Sequence, residues 1–218
     1  MKSNINEVLR NIKWLIIPYL VILCICLVIK LIYSREDIYF TVNGINSSVA
    51  DFLAPFVTDL GNGWTAVALS LILMLFSYRK GLLIASSFAV TSILGAQVVK
   101  FIVDAPRPKL YFKDQLSRIH FVKGVDVLTT HSFPSGHTIT AFSAAVVLTY
   151  LSKNSRWGIL YLILAILVGY SRMYLSEHFF EDVTAGSIIG VVITVIWLYW
   201  LDNKAFIQSP RWQRGLLN

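Results

Sequence analysis

Residues 60–99 read LGNGWTAVALSLILMLFSYRKGLLIASSFAVTSILGAQVV. Two charge-free apolar runs, 60–78 and 81–99, are parted by Arg79 and Lys80 alone. Each is close to the roughly 20 residues that a helix needs to cross a hydrocarbon core. Working outward, charge-free runs recur over 14–29, 133–152, 157–171 and 183–201, and they place further spans near 14–33, 135–152, 157–172 and 183–201, with the third span extending to about 103. The shorter runs gain length if Lys30 and Arg172 snorkel, or if an active-site end is buried. Six helices of about 20 residues use about 120 positions, so the 218 residues leave no room for a separate soluble domain. There is no internal repeat and no low-complexity tract. The expected fold is all-α: one polytopic membrane domain over 1–218 with six transmembrane helices.

Composition agrees. Of the residues, 56% are hydrophobic and 14% charged, against about 25% charged in an ordinary soluble domain, and the mean hydropathy is +0.66. A disordered chain, a basic nucleic-acid-binding domain and a secreted disulfide scaffold are excluded. Cys24 and Cys26, two apart on a helix, face different ways and complete no metal set. Residues 14–27 follow Lys2, Arg10 and Lys13 as a signal-peptide core would, but the run continues to Tyr33 with no small-x-small site. A retained first helix is expected. Trp14, Tyr33, Trp64, Tyr78, Tyr150, Trp157, Trp197 and Trp200 mark the span ends as an interfacial belt.

The net charge of +7 reads as orientation. With the N-terminus inside, the inner segments hold ten basic and two acidic residues, and the outer ones nine basic and ten acidic. The positive-inside bias predicts a multi-pass membrane protein with both termini cytoplasmic. Two outer segments are more than loops. In Ile45, Val49, Phe52, Leu53, Phe56, Val57 and Leu60 the apolar residues step by three or four, with Gly61 as a stop and Pro55 as a kink. A short amphipathic helix lying at the interface and a plain extension of the second span fit this pattern equally. Residues 108–130 are basic and aromatic, a headgroup sensor or simply a basic loop.

Three polar clusters stand at span ends, where ionisable groups are costly without a function. They are Lys100 with Arg107, Pro134-Ser135-Gly136-His137, and Ser171-Arg172 with His178 and Asp182. The six-span topology brings all three to one membrane face, the outer one. Lys100, Arg107 and Arg172 are suited to phosphate oxygens. Ser135 and Gly136 open a helix, whose free N–H groups favour an anion. Asp182, four residues after His178, can hold Nδ1–H and leave Nε2 as a nucleophile. His137 then serves as general acid and later as base for water. Asp104 is read as a local partner of Lys100, Glu177 as a solvated loop acid in preference to a group that tunes the site beside His178, and His120 and His131 as outer-loop residues without a catalytic role. No carboxylate or histidine cluster has metal-ligand spacing.

These residues spell K-x6-R-P (Lys100, Arg107, Pro108), P-S-G-H (134–137) and S-R-x5-H-x3-D (Ser171, Arg172, His178, Asp182). In order and spacing the pattern resembles the type 2 phosphatidic acid phosphatase superfamily, which includes lipid diphosphatases and vanadium haloperoxidases. The resemblance implies a metal-independent, cofactor-free lipid phosphatase. His178 would form a phosphohistidine, Asp182 orient it and His137 act as acid–base. Lys100, Arg107, Ser135, Gly136 and Arg172 would bind the phosphoryl oxygens. Substrates implied are undecaprenyl diphosphate, lipid A phosphate, phosphatidylglycerol phosphate or phosphatidic acid, with the site facing the periplasm or exterior. The partners are a lipid phosphate and membrane lipids, with no nucleic acid; the oligomeric state is not legible. One departure stands out: Phe179-Phe180-Glu181 occupies the place where many relatives carry proline. Rival readings are a lipid phosphotransferase using the same site, a haloperoxidase, and a non-enzymatic membrane transporter.

Overall fold

A computed structural model describes residues 4–217. Its elements are α1 (Ile5–Asn11), α2 (Lys13–Ile32), α3 (Arg35–Gly44), α4 (Ser48–Asp59), α5 (Gly63–Phe76), α6 (Tyr78–Val90), a π-helical turn (Thr91–Gln97), α7 (Val98–Ile102), α8 (Pro108–Tyr111), α9 (Gly136–Leu151), α10 (Trp157–Tyr174), α11 (Phe180–Asp202) and α12 (Pro210–Gln213). A short 3-10 helix, Lys113–Arg118, follows α8. Among the described residues there is no strand.

Four helical runs are long and apolar enough to cross a membrane: Lys13–Ile32, Tyr78–Ile102, Trp157–Tyr174 and Phe180–Asp202. The pair α4 and α5 makes a fifth if counted together, bent by 55°. Helix α9 is apolar but has 16 residues. The expected run 60–78 therefore becomes a 14-residue helix, α5, preceded by a break.

The interfacial-helix and extended-span readings of 45–60 meet in this geometry. Helix α4 continues through Pro55, and the chain turns at 60–62 rather than at the proline. Val49, Phe52 and Phe56 face outward at 66%, 67% and 61% exposure, while Ala54 and Thr58 are buried. An exposed apolar stripe of this kind suits lipid, not water. Gly61 is required at the turn: a Cβ there would lie 2.6 Å from the carbonyl oxygen of His137.

Helix α9 is the hub, packed chiefly on α10 and α11 and also on α6. Its buried Phe142, Val146 and Val147 share one hydrophobic cluster with Leu83, Leu162 and Leu198 from those helices. Full burial of such side chains contributes roughly 1.5–3 kcal/mol each in water; inside a bilayer close packing and hydrogen bonds carry more of the load. At Gly186 a Cβ would stand 2.9 Å from the Ser135 carbonyl, so a small residue brings α11 against the start of α9. That close approach puts the starts of α9 and α11 beside each other at one end of the bundle.

Candidate active site

The site is built on the turn between α10 and α11. The carbonyl of Arg172 accepts the N–H groups of Glu177 (3.0 Å) and His178 (3.2 Å), folding the chain back on the helix end. Ser176 takes the left-handed conformation, φ 59°, which is strained for a residue with a side chain. Its hydroxyl is held there by the Tyr39 hydroxyl (2.9 Å) and the Asn43 amide (3.1 Å) from α3. The turn thereby aims Glu177 and His178 inward.

His178 is 1% exposed. Burial first, and then the charges of Arg172, Arg107, Lys100 and His137, hold its pKa well below the ordinary 6.5. Both effects favour the neutral imidazole, whose lone pair is then available. Its Nδ1 stands 3.4 Å from Asp182 Oδ2, longer than a good hydrogen bond. That oxygen already accepts the Ser132 hydroxyl (2.5 Å) and the Phe179 N–H (2.9 Å). Asp182 is therefore fixed in the first turn of α11 by two donors besides the histidine.

Three cations surround this pair. Lys100 lies in the last turn of the run from α6 through the π turn to α7, and its Nζ lies 3.9 Å from where a Cβ on Gly136 would stand. Arg107 is 4% exposed. Its backbone N–H bonds the Thr129 carbonyl (2.8 Å), its Nε–H the Thr130 carbonyl (2.8 Å), and its Nη1 the Glu177 carbonyl (3.2 Å) and carboxylate. Arg172, 7% exposed, donates from Nη1 to the Thr58 hydroxyl (3.0 Å), and its Nη2 lies 3.5 Å from Glu177 Oε2. Its Nε–H is buried without a partner. A buried guanidinium N–H with no acceptor costs free energy unless something arrives to take it.

Ser135 caps the start of α9 by backbone alone. Its N–H donates to the Asp182 carbonyl (3.1 Å), and its hydroxyl accepts from Thr138 (2.9 Å). No side chain caps the helix, so its first N–H groups remain for an anion. His137, the second helical residue, lies within electrostatic reach of Arg172, Lys100 and Arg107. All eight residues singled out by sequence thus come together at one end of the bundle. A cavity of about 500 Å³ adjoins them, bounded by Gln97, Lys100, Arg107, Thr130 and His131. The π turn delivers Gln97 to this wall.

Two expectations are corrected. Glu177 is 4% exposed and bridges two arginines, so it is no solvated acid. Asp104 faces His131 Nδ1 at 3.2 Å, both largely exposed, and not Lys100. His120 pairs with Asp51 Oδ1 (2.8 Å) outside the cluster. Ser132 and Thr58 are members that the sequence does not single out, and Glu177 is one that it offers only as the lesser reading. Their partners lie in other helices or loops, and nothing in local spacing announces them. Phe179, directly after His178, is 2% exposed and packed in a cluster with Tyr39 and Phe112. The Arg35 guanidinium sits 4.6 Å from its ring centre and pairs with Glu181. An aromatic and ionic anchor thus holds the segment after His178. Among the described residues no three His, Cys, Asp or Glu assemble as a metal-ligand set.

Similarity to known proteins follows the same residues. An undecaprenyl-diphosphatase of Sulfolobus acidocaldarius is 29% identical over 84% of this chain and 88% of its own length. Phosphatidylglycerophosphatase B of Bacillus subtilis is 30% identical over 66% of this chain and 65% of its own. Among solved structures, LpxE of Aquifex aeolicus superposes with a TM-score of 0.66 at 26% identity, covering 75% of this chain and 93% of that one. A transmembrane PAP2-type phosphatidylglycerolphosphate phosphatase from Bacillus subtilis gives 0.62 at 27% identity, covering 86% and 94%. The family model of the PAP2 superfamily matches residues 80–206. The relatives are phosphoric ester and anhydride hydrolases by name, the apolar helices are those of a membrane protein, and the chain belongs to the PAP2 superfamily.

Proposed function

We propose that this protein hydrolyses the phosphomonoester or diphosphate headgroup of a membrane lipid through a phosphohistidine on His178. The observation that carries the reading is the cluster itself: a buried imidazole ringed by Lys100, Arg107 and Arg172, with an unclaimed guanidinium N–H among them. Nε2 of His178 attacks phosphorus as the bond to the leaving oxygen breaks. His137 delivers the proton to that oxygen and then draws a proton from the water that cleaves the phosphohistidine. Asp182 holds the imidazole, and its contact with Nδ1 tightens as positive charge develops on the ring. The three cations and the first N–H groups of α9, at Gly136 and beyond, stabilise the negative charge spreading over the phosphoryl oxygens.

The same reading has six crossings, α9 serving as the fourth and the bent α4–α5 pair as the second, with both termini in the cytoplasm. The charge asymmetry supports that orientation, which turns the cluster toward the periplasm or exterior of a bacterial cytoplasmic membrane. An outward site suits undecaprenyl diphosphate or a lipid A phosphate, and the likeness to an undecaprenyl-diphosphatase over most of both chains supports testing the former first. The experiment is phosphate release by the purified protein from undecaprenyl diphosphate, lipid A, phosphatidylglycerol phosphate and phosphatidic acid at matched detergent, with EDTA and with orthovanadate. Release from at least one lipid, insensitive to EDTA and blocked by vanadate, is expected. Release from none, or release restored only by Mg²⁺ after chelation, would refute the reading.

A further inference from the structure

The cluster contains an anion of its own. The Glu177 side chain is 6% exposed, and its Oε2 accepts from Arg107 Nη1 and stands 3.5 Å from Arg172 Nη2. Its backbone is pinned on both sides, the N–H by the Arg172 carbonyl (3.0 Å) and the carbonyl by Arg107 Nη1 (3.2 Å). The carboxylate therefore has little freedom to leave. A site whose cations receive phosphate thus already spends part of their donor capacity on a resident carboxylate.

Two physical consequences follow. In the empty site, Glu177 offsets one of three clustered positive charges, two of them buried, which lowers the cost of holding them close together. In the occupied site it is a fixed negative charge beside another anion, and the repulsion in a poorly solvated place weakens binding. Weak binding of the ground state and of the product favours turnover, since tight binding of either adds nothing to the chemical step and slows departure.

We propose that Glu177 is a built-in counter-anion: by sharing Arg107 and Arg172 with the phosphoryl group, it lowers the cluster's affinity for phosphate and promotes release of the product. The proposal rests on the reading of the cluster as a phosphate site. It makes Glu177 a positioning residue that acts through two arginines, and its sign separates it from a mere prop. Loss of a prop loosens anion binding, whereas loss of a competing charge tightens it.

The test measures inhibition by orthovanadate and by inorganic phosphate with the full-length protein, its E177Q variant and its E177D variant. E177Q keeps the shape and a carbonyl acceptor but removes the charge. It should bind vanadate and phosphate roughly tenfold or more tightly, with KM lowered and kcat reduced as release slows. E177D draws the charge back by one methylene and should bind vanadate with an affinity between the two. Should E177Q not fold, E177D decides: tighter vanadate binding than wild type supports the proposal. Unchanged or weaker binding in the folded variants overturns it. Failure of the wild type to bind vanadate at all would instead overturn the phosphate-site reading on which it rests.

Discussion

The two ends of the helix bundle treat buried charge in opposite ways. At one end Arg79 meets Asp202 through two bonds, Nε to Oδ1 at 2.8 Å and Nη2 to Oδ2 at 2.6 Å, and the Tyr150 hydroxyl adds a third at 2.6 Å. One cation faces one anion, and the set ties the start of α6 to the ends of α9 and α11. At the other end Lys100, Arg107 and Arg172 outnumber the acids they touch, while Arg172 Nε and His178 Nδ1 lack a good partner. The same helices serve both ends: α6 opens on Arg79 and its continuation closes on Lys100, and α11 carries Asp182 in its first turn and Asp202 in its last. A closed set of charges is a structural staple, whereas an open, cation-rich set is made to receive something.

The contrast can be broken from either end. The largest effect is expected at the open end: His178→Ala should reduce phosphate release by at least about 10³-fold, with an unchanged elution profile. Activity near that of the wild type would remove His178 from the chemistry. Arg172→Ala should cost about 10²-fold in kcat, the scale of losing one donor to a developing oxyanion. Ser132→Ala removes one of the two other bonds that fix Asp182, and a loss of about tenfold in kcat at similar KM is expected. A drop in KM alone would show that Ser132 acts elsewhere.

At the closed end the readout reverses. Arg79→Ala leaves the buried Asp202 carboxylate with the Tyr150 hydroxyl but without its counter-charge, so stability should fall by about 3 kcal/mol, seen as a lower Tm in detergent. At permissive temperature kcat/KM should stay within about twofold of wild type. An inactive Arg79→Ala protein with an unchanged Tm would erase the distinction between the ends. The smallest effect is on pH. Burial and the neighbouring cations depress the His178 pKa, so in acid the unfolded chain binds a proton at this residue that the folded one does not. Its contribution to stability is complete above the unfolded value near 6.5 and declines below it. The Tm of the wild type should therefore fall between about pH 7 and pH 5 by more than that of His178→Ala.

Much of this was legible in the sequence because it is locally encoded. Charge-free runs announce helices through composition alone, and Lys100, Arg107, His137, Arg172, His178 and Asp182 declare themselves as polar groups at the ends of apolar runs. What escaped depends on contacts between distant segments. Ser132 reaches Asp182 across fifty positions, and Glu177 looks like any loop acid until the Arg172 carbonyl folds the turn inward. The break at 60–62 is marked in the sequence by Gly61 as a helix stop, whereas the kink expected at Pro55 is absent, because α4 continues through it. The need for Gly61 comes from His137, far along the chain. Asp104, four residues after Lys100, looked like its helical partner, but the helix ends at Ile102 and the acid turns to His131 instead.

The central claim is that His178 at the open end carries the phosphoryl group. It is tested most directly by quenching the protein during turnover of a lipid radiolabelled in the phosphoryl group that is transferred, then locating the protein-bound label. The account predicts an acid-labile, alkali-stable phosphoramidate on His178, absent from the His178→Ala protein. Label on another residue, or phosphate release by His178→Ala at the wild-type rate, would contradict it.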